Sequence, residues 1–255
     1  MICLLSPAKN LNENPIQLNV EPSLPLFNTQ AKQLVQILKK MKPKELAEFM
    51  NLSENLAELN ATRFKNWSKE PKTEQAKAAA FLFNGDTYQG LDFESLNTDS
   101  QLYAQKSLRI LSGLYGCLRP FDLVQPYRLE MGKALETKKG KNLYQFWDNT
   151  ATKQINKDIK ALDADIVLIC ASKEYAKVVD YKALKAEVWT PIFKDFKTDK
   201  YKIISFFAKK ARGLMARFVI ENQVKTLKEV QAFSSEGYYF HAIDEKKKEL
   251  IFHRD

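Results

Sequence analysis

Leu108-Arg109-Ile110-Leu111-Ser112-Gly113-Leu114-Tyr115-Gly116-Cys117-Leu118-Arg119-Pro120 is the stretch on which the fold of this chain turns. Leu108 and Leu111 stand one helical turn apart, and Gly113-Leu114-Tyr115-Gly116 then demands a sharp turn. One reading is a helix running into a hairpin, as in a helix-hairpin-helix. The two glycines would leave backbone N–H groups bare, and the dipole of the following turn would draw a DNA phosphate without reading a base. Pro120 and Pro126 crowd the segment that a second helix needs, because proline fits only a first turn. The other reading is a glycine-rich loop that joins a core helix to a core strand, and the local pattern leaves both open.

Elsewhere the second half of the chain alternates. Leu143 to Leu162 has a helical period, and Asp165 to Cys170 is a continuous apolar run of the kind buried on both faces of a sheet. Ser172 to Val179 reads as a helical turn or two. Val188 to Phe193 and Tyr201 to Phe207 read as strands, and Lys209 to Asn222 as a helix. Gly237 to Ile243 and Leu250 to His253 read as a closing hairpin around Asp244-Glu245-Lys246-Lys247-Lys248. In the first half, Ile2 to Leu5 is a short buried strand, and the proline-bearing residues after Ser6-Pro7-Ala8-Lys9 form a surface loop. Helices are expected over Thr29 to Lys40, from Pro43 and from Ser53 toward Trp67, over Glu74 to Phe83, and from a cap at Thr98 or Ser100. With no repeat, linker or low-complexity segment, residues 1–255 are expected to form a single compact α+β domain with a mixed sheet and surrounding helices.

Of 255 residues 45% are hydrophobic, enough for a sizeable core, and no window reaches the length of a membrane span. Ile2-Cys3-Leu4-Leu5 lacks a basic leader and is cut short by Ser6-Pro7, so no signal peptide is expected. Cys3, Cys117 and Cys170 are odd in number, far apart and set in apolar stretches, which predicts buried thiols in a reducing cytoplasm. Forty basic against thirty-one acidic residues give a net charge of +9, a balance that favours a polyanionic partner, nucleic acid above all.

Lys209-Lys210-Ala211-Arg212-Gly213-Leu214-Met215-Ala216-Arg217-Phe218 is the second informative stretch. At about 100° per residue Lys209, Lys210, Arg212 and Arg217 share one arc, while Ala211, Leu214, Met215, Phe218 and Val219 take the other side. Gly213 projects into the basic arc, where it costs about 1 kcal/mol of helix stability against alanine. Either a phosphate backbone comes close there, or a neighbouring helix packs tightly. Arg119, Tyr127, Arg128 and Lys133 form a third cluster, with Glu130 placed to orient an arginine as a fixed ion pair. Two histidines and scattered thiols give no zinc pattern, and neither a Walker A sequence nor a dinucleotide fingerprint is present. No catalytic constellation, metal site or cofactor is therefore expected, although Ser6 and Lys9 follow the first strand, where active-site loops often begin.

Several motifs in one order carry a resemblance over nearly the whole chain. They are Ser6-Pro7-Ala8-Lys9, Phe83-Asn84-Gly85-Asp86-Thr87-Tyr88-Gln89-Gly90-Leu91, Leu111-Ser112-Gly113-Leu114-Tyr115-Gly116, Leu118-Arg119-Pro120, Pro126-Tyr127-Arg128-Leu129-Glu130-Met131-Gly132, Asn142-Leu143-Tyr144-Gln145-Phe146-Trp147, Lys209-Lys210-Ala211-Arg212-Gly213-Leu214-Met215 and Ser235-Glu236-Gly237-Tyr238. The chain resembles the YaaA family of bacterial peroxide-stress proteins. The resemblance implies a cytoplasmic DNA-binding protein with an unusual α+β fold, a positively charged cleft and a helix-hairpin-helix element. It also implies ties to the peroxide response, to restraint of free iron and to recombinational repair. Asn10, Thr87 and Phe121 stand where the family often has threonine, valine and leucine.

The expectation is a binder of double-stranded or branched DNA without sequence preference. Gly113, Tyr115 and Gly116 would meet a phosphate at the hairpin, while Lys9, Arg119, Arg128, Lys209, Lys210, Arg212 and Arg217 line the cleft. The alternative is an enzyme that holds a phosphorylated or nucleotide substrate in the same cleft through Ser6, Lys9, Glu130 and the arginines.

Overall fold

The computed structural model describes residues 1–255, the side chain of Thr73 excepted. Its centre is strand β1, Ile2–Leu5, every residue of which is buried. Parallel neighbours flank it on both sides: β2, Leu108–Ser112, and β4, Ile166–Ile169. β3, Gly116–Leu118, returns antiparallel from β2. Beyond β4 come β5, Glu187–Phe196, then β8, Glu249–Arg254, both parallel to their inner neighbours. β7, Tyr239–Asp244, closes the edge as an antiparallel hairpin with β8, and the two-residue β6, Tyr201–Lys202, pairs with β5. The sheet order is therefore β7-β8-β5-β4-β1-β2-β3. The continuous apolar runs of β1 and β4 are what a strand covered by helices on both faces requires.

The expected mixed sheet with surrounding helices is present, but its central pairings are parallel, which makes the architecture α/β and not the expected α+β. The deciding stretch also takes neither expected form. Leu108–Ser112 is a strand, not a helix, and Gly113-Leu114-Tyr115 is the turn of a buried β-hairpin. Arg109 explains the choice in part: its guanidinium forms a bidentate pair with Asp158, both contacts 2.8 Å, beneath the sheet. Gly116 has φ +73°, a backbone conformation open to glycine, and the Trp147 ring lies where a Cβ would stand.

Three other expectations also change. Residues 74–83 break into a 3-10 turn, a short β-bridge and one α-turn over Ala79–Leu82. The segment from Leu143 to Leu162 is two helices, interrupted where Asp148 adopts φ +43°. Strand character after Tyr201 ends at Lys202, because the long helix begins already at Ser205.

The helices that matter below are α1, Asn28–Leu38; α2, Pro43–Met50; α3, Glu54–Asn66; α4, Asp86–Leu91; and α5, Ser205–Glu221. Proline opens α2 as expected. Asn51 then turns left-handed at φ +56°, Leu52 follows, and Ser53 in extended conformation leads into α3. This pair, unlike residues 108–118, is two consecutive helices joined by a short turn.

α4 and α5 cross at glycine on both sides. A Cβ on Gly213 would lie 1.8 Å from the Thr87 carbonyl oxygen, and one on Gly90 would lie 2.2 Å from the Lys210 carbonyl oxygen. The packing explanation for Gly213 is therefore the structural one: a neighbouring helix occupies the space within its arc. Gly213→Ala would gain about 1 kcal/mol of helix propensity, but overpacking against rigid backbone outweighs it. We expect a net loss of about 2 kcal/mol or more, read from the urea midpoint, whereas Lys209→Ala on the same helix should leave the midpoint nearly unmoved.

Candidate functional site

In an open sheet the crevice outside the carboxyl ends of the strands, where chain connections diverge, is the place where ligands gather. Here that point lies beyond β1, between its parallel partners. The chain leaves β1 at Ser6 and leaves β4 through Cys170 to Ser172, and these two exits are stapled together. The Ser172 N–H donates to Ser6 Oγ at 2.8 Å, and the Tyr88 hydroxyl donates to the Ser6 carbonyl at 3.0 Å. α4 enters from Asn84-Gly85, and α5 passes across from it because of the Gly90–Gly213 crossing. The result is a crevice of about 410 Å³ lined by Ser6, Lys9, Asp86, Glu130, Ser172, Glu174, Lys209 and Arg212, with Tyr88 and Tyr175 in its wall. Two broader hollows, one around Lys139–Thr150 and one around Lys32–Glu70, lie away from the strand ends.

Of the expected DNA contacts, only Lys9, Lys209 and Arg212 line this crevice together. Lys209 is exposed, and Arg212 is half-buried. Among the described residues the Arg212 side chain makes one hydrogen bond, Nε to the Ala208 carbonyl, one turn back, at 3.2 Å. No carboxylate faces it among the described residues, and burial draws its guanidinium below the usual value. Arg212 also walls a smaller, more apolar hollow that includes Ile169, Ile192 and Ile203.

Glu130 binds the crevice to its basic neighbours. It is 9% exposed, and its Oε1 receives Arg128 Nε at 3.3 Å and Lys9 Nζ at 3.5 Å. The expected orientation of Arg128 by Glu130 is thus present. Its other oxygen, Oε2, is buried and has no partner, an arrangement that costs about 1–3 kcal/mol if nothing fills it. Burial pushes the phenols of Tyr88, Tyr127 and Tyr175 up from their ordinary range, so all three remain protonated donors at neutral pH. Ser172, Glu174 and Tyr175 carry no signal of a site in the sequence, and Tyr88 stands there only within a family motif, because their convergence depends on strand order and not on spacing.

The remaining expected contacts lie elsewhere, each with a partner in the fold. Gly113, Tyr115 and Gly116 are buried in the β2–β3 turn, where the Tyr115 N–H donates to Ser112 Oγ at 2.9 Å and the Trp147 indole donates to the Gly113 carbonyl at 2.9 Å. A phosphate has no approach to a turn so enclosed. Lys210 pairs with Glu236 at 2.6 Å. Arg217 donates to the Asp92 carbonyl at 2.7 Å at the end of α4 and pairs with Glu221 at 2.7 Å. These two therefore serve to join elements, and the basic arc of α5 is divided by its contact with α4.

The α2–α3 hairpin is the other feature of interest. Ser53 makes no side-chain cap, and residues 53–56 at the start of α3 are exposed, so its first N–H groups lack that cap. Its charges balance, however: Lys42, Lys44, Arg63 and Lys65 are matched by Glu45, Glu48, Glu54 and Glu58. Among the described residues no group of three or more His, Cys, Asp or Glu side chains is placed to hold a metal ion, and no helix is long and apolar enough to cross a membrane.

Arg119 packs against fully buried Asp122, with Nη2 at 2.7 Å and the backbone N–H at 2.8 Å from its carboxylate. Removing it would strand a buried charge. Arg119→Ala is expected to lower unfolding stability by about 3 kcal/mol. Any loss of ligand affinity should then track the unfolded fraction, a relation that denaturant titration and binding on the same sample would reveal.

The model of a family described as "Peroxide stress protein YaaA" matches residues 1–244. A UPF0246 protein of Shewanella sp. (strain ANA-3) is 46% identical over 255 residues, covering 100% of this chain and 99% of its own length. UPF0246 proteins of Idiomarina loihiensis and Aliivibrio fischeri (strain ES114) are 44% and 45% identical, over 100% of this chain and 98% of theirs. The match takes in both walls of the crevice and both exits from the central strands, and the chain belongs to the peroxide stress protein YaaA family.

Proposed function

We propose that this protein serves the response to peroxide by binding double-stranded or branched DNA without sequence preference, with the crevice beyond β1 as the phosphate contact. The observation that carries this reading is Arg212, a half-buried guanidinium without a carboxylate partner, beside exposed Lys209. A cleft cation that forms no ion pair with a carboxylate is the arrangement that an incoming phosphate completes. The overall charge of +9 steers such a partner toward the protein. The uncapped N–H groups at the start of α3 add a second point of contact, one that the balanced charges of the hairpin keep secondary.

Thiol chemistry is a poor basis for the peroxide role. Cys3 and Cys117 are buried; the Cys170 thiol beside Cys3 pushes that group well up, and burial pushes Cys117 up to about 12. Peroxide attacks thiolate, which neither residue supplies at neutral pH. Bound protein would instead cover DNA or assist its repair while radicals form, and so limit iron-driven damage.

The alternative, an enzyme with a phosphorylated or nucleotide substrate, gains from the composition of the crevice. Three cations, Lys9, Lys209 and Arg212, meet three carboxylates, Asp86, Glu130 and Glu174, a balance unlike that of a groove built for bare phosphate backbone.

Duplex and four-way-junction binding across a salt series tests the first reading. If Lys9, Lys209 and Arg212 neutralise three phosphates, the log–log slope should be about −3 from the crevice alone. Arg212→Ala and Lys209→Ala should each flatten it by about one and weaken all sequences alike. A slope unchanged in both variants would take the crevice out of DNA binding.

A further inference from the structure

The balance of charge in the crevice, together with the unfilled Oε2 of Glu130, describes a ligand more closely than a phosphate backbone does. Three features coincide within one cavity. A guanidinium without an acidic partner and an exposed lysine offer sites for an anion. Glu130 lines the same cavity and is 9% exposed, with Oε1 held by Lys9 and Arg128 and Oε2 without a partner among the described residues, so its carboxylate keeps acceptor capacity for a hydrogen-bond donor. The volume, about 410 Å³, falls in the range of sites that enclose a small molecule, about 300–1,000 Å³, and tyrosine rings form part of the wall.

A ligand that satisfies all three carries an anionic group at one place and N–H donors at another, with a flat body between them. Free phosphate lacks the N–H donors, and an intact duplex keeps the Watson–Crick N–H edges of its bases paired within the stack. A nucleotide turned out of the stack exposes that edge while its phosphate remains on the strand. We infer that the crevice receives a single extrahelical nucleotide, its phosphate on Arg212 and Lys209 and the donor edge of its base on Glu130. The inference deepens the DNA-binding reading and rests on it. It makes Glu130 a base-recognition residue, with Arg128 and Lys9 holding its carboxylate in place. It also accounts for the presence of carboxylates in a cleft meant for nucleic acid, since bases donate where phosphates accept.

Calorimetry with deoxynucleoside 5′-monophosphates, with deoxyribose 5-phosphate as the base-free control, tests this directly. The expected result is saturable binding of the nucleotides, at least tenfold tighter than the base-free control. Glu130→Gln, shown by its melting curve to be folded, should erase most of that difference while leaving the control unchanged. Should Glu130→Gln fail to fold, Lys209→Ala replaces it and should weaken nucleotide and control alike, by about tenfold. In DNA, a 2-aminopurine opposite an abasic site should brighten on binding to the wild type and not to Glu130→Gln. Nucleotides that bind no better than the base-free control would overturn the inference, as would no binding at millimolar concentration. Duplex binding that persists with its salt slope in that case would leave the crevice as a backbone contact, and loss of the slope itself would sink the wider reading separately.

Discussion

The crossing of α4 and α5 is the constraint from which the candidate site follows. Gly90 and Gly213 let two helix backbones approach until neither tolerates a Cβ, with carbonyl oxygens about 2 Å from where one would stand. That contact fixes which part of α5 lies over the ends of the central strands. One residue before Gly213, Arg212 is delivered into the crevice; three residues before it, Lys210 is carried away to Glu236. Four residues after it, Arg217 reaches the end of α4 and closes the joint by bonding to the Asp92 carbonyl. The glycines cost helix stability locally, and their gain is positional.

A second constraint acts at the other wall. β1 and β4 are parallel, so both release their chains on one side of the sheet, and the Ser6–Ser172 hydrogen bond holds the two exits together. Parallel strands and a helix crossing thus create the cavity jointly. The β2–β3 hairpin, which the sequence invites one to read as a phosphate grip, is instead part of the support. Its turn is packed under Trp147, and Leu129 lies so close to Gly113 that a Cβ there would stand 2.3 Å from its carbonyl oxygen. Leu129 is also the neighbour of Glu130, so the burial of the turn and the placement of the Glu130 carboxylate belong to one packed region.

The charges of the chain sort themselves by partner. Arg109, Arg119, Lys210 and Arg217 are held by acids or carbonyls and belong to the architecture. Among the described residues Lys209 and Arg212 form no ion pair with a carboxylate, although carboxylates share their crevice. A basic composition by itself does not separate these two groups, since each lysine or arginine contributes equally to a net charge of +9. Only the contacts do so, which is why five of the seven expected basic contacts turn out to have partners in the fold.

What the sequence determined by itself is local and periodic. The buried strands Ile2–Leu5 and Ile166–Ile169, the helix opened by Pro43, the long helix through Lys209 to Glu221 and the C-terminal hairpin are all legible, because apolar runs, proline position and turn residues act over a few residues. The family resemblance is legible too, and with it the connection to peroxide stress. Tertiary structure decided the rest. Leu108–Ser112 satisfies a helical spacing and a strand equally well, and the parallel register with Ile2–Leu5 chose the strand. Pairing at β1 and the α4–α5 crossing brought Ser6, Glu130, Ser172 and Arg212 into one crevice from positions up to 206 residues apart. No spacing within the sequence encodes such a meeting. It depends on which strands lie side by side and on which glycines let helices touch, and both are settled only when the whole core is packed.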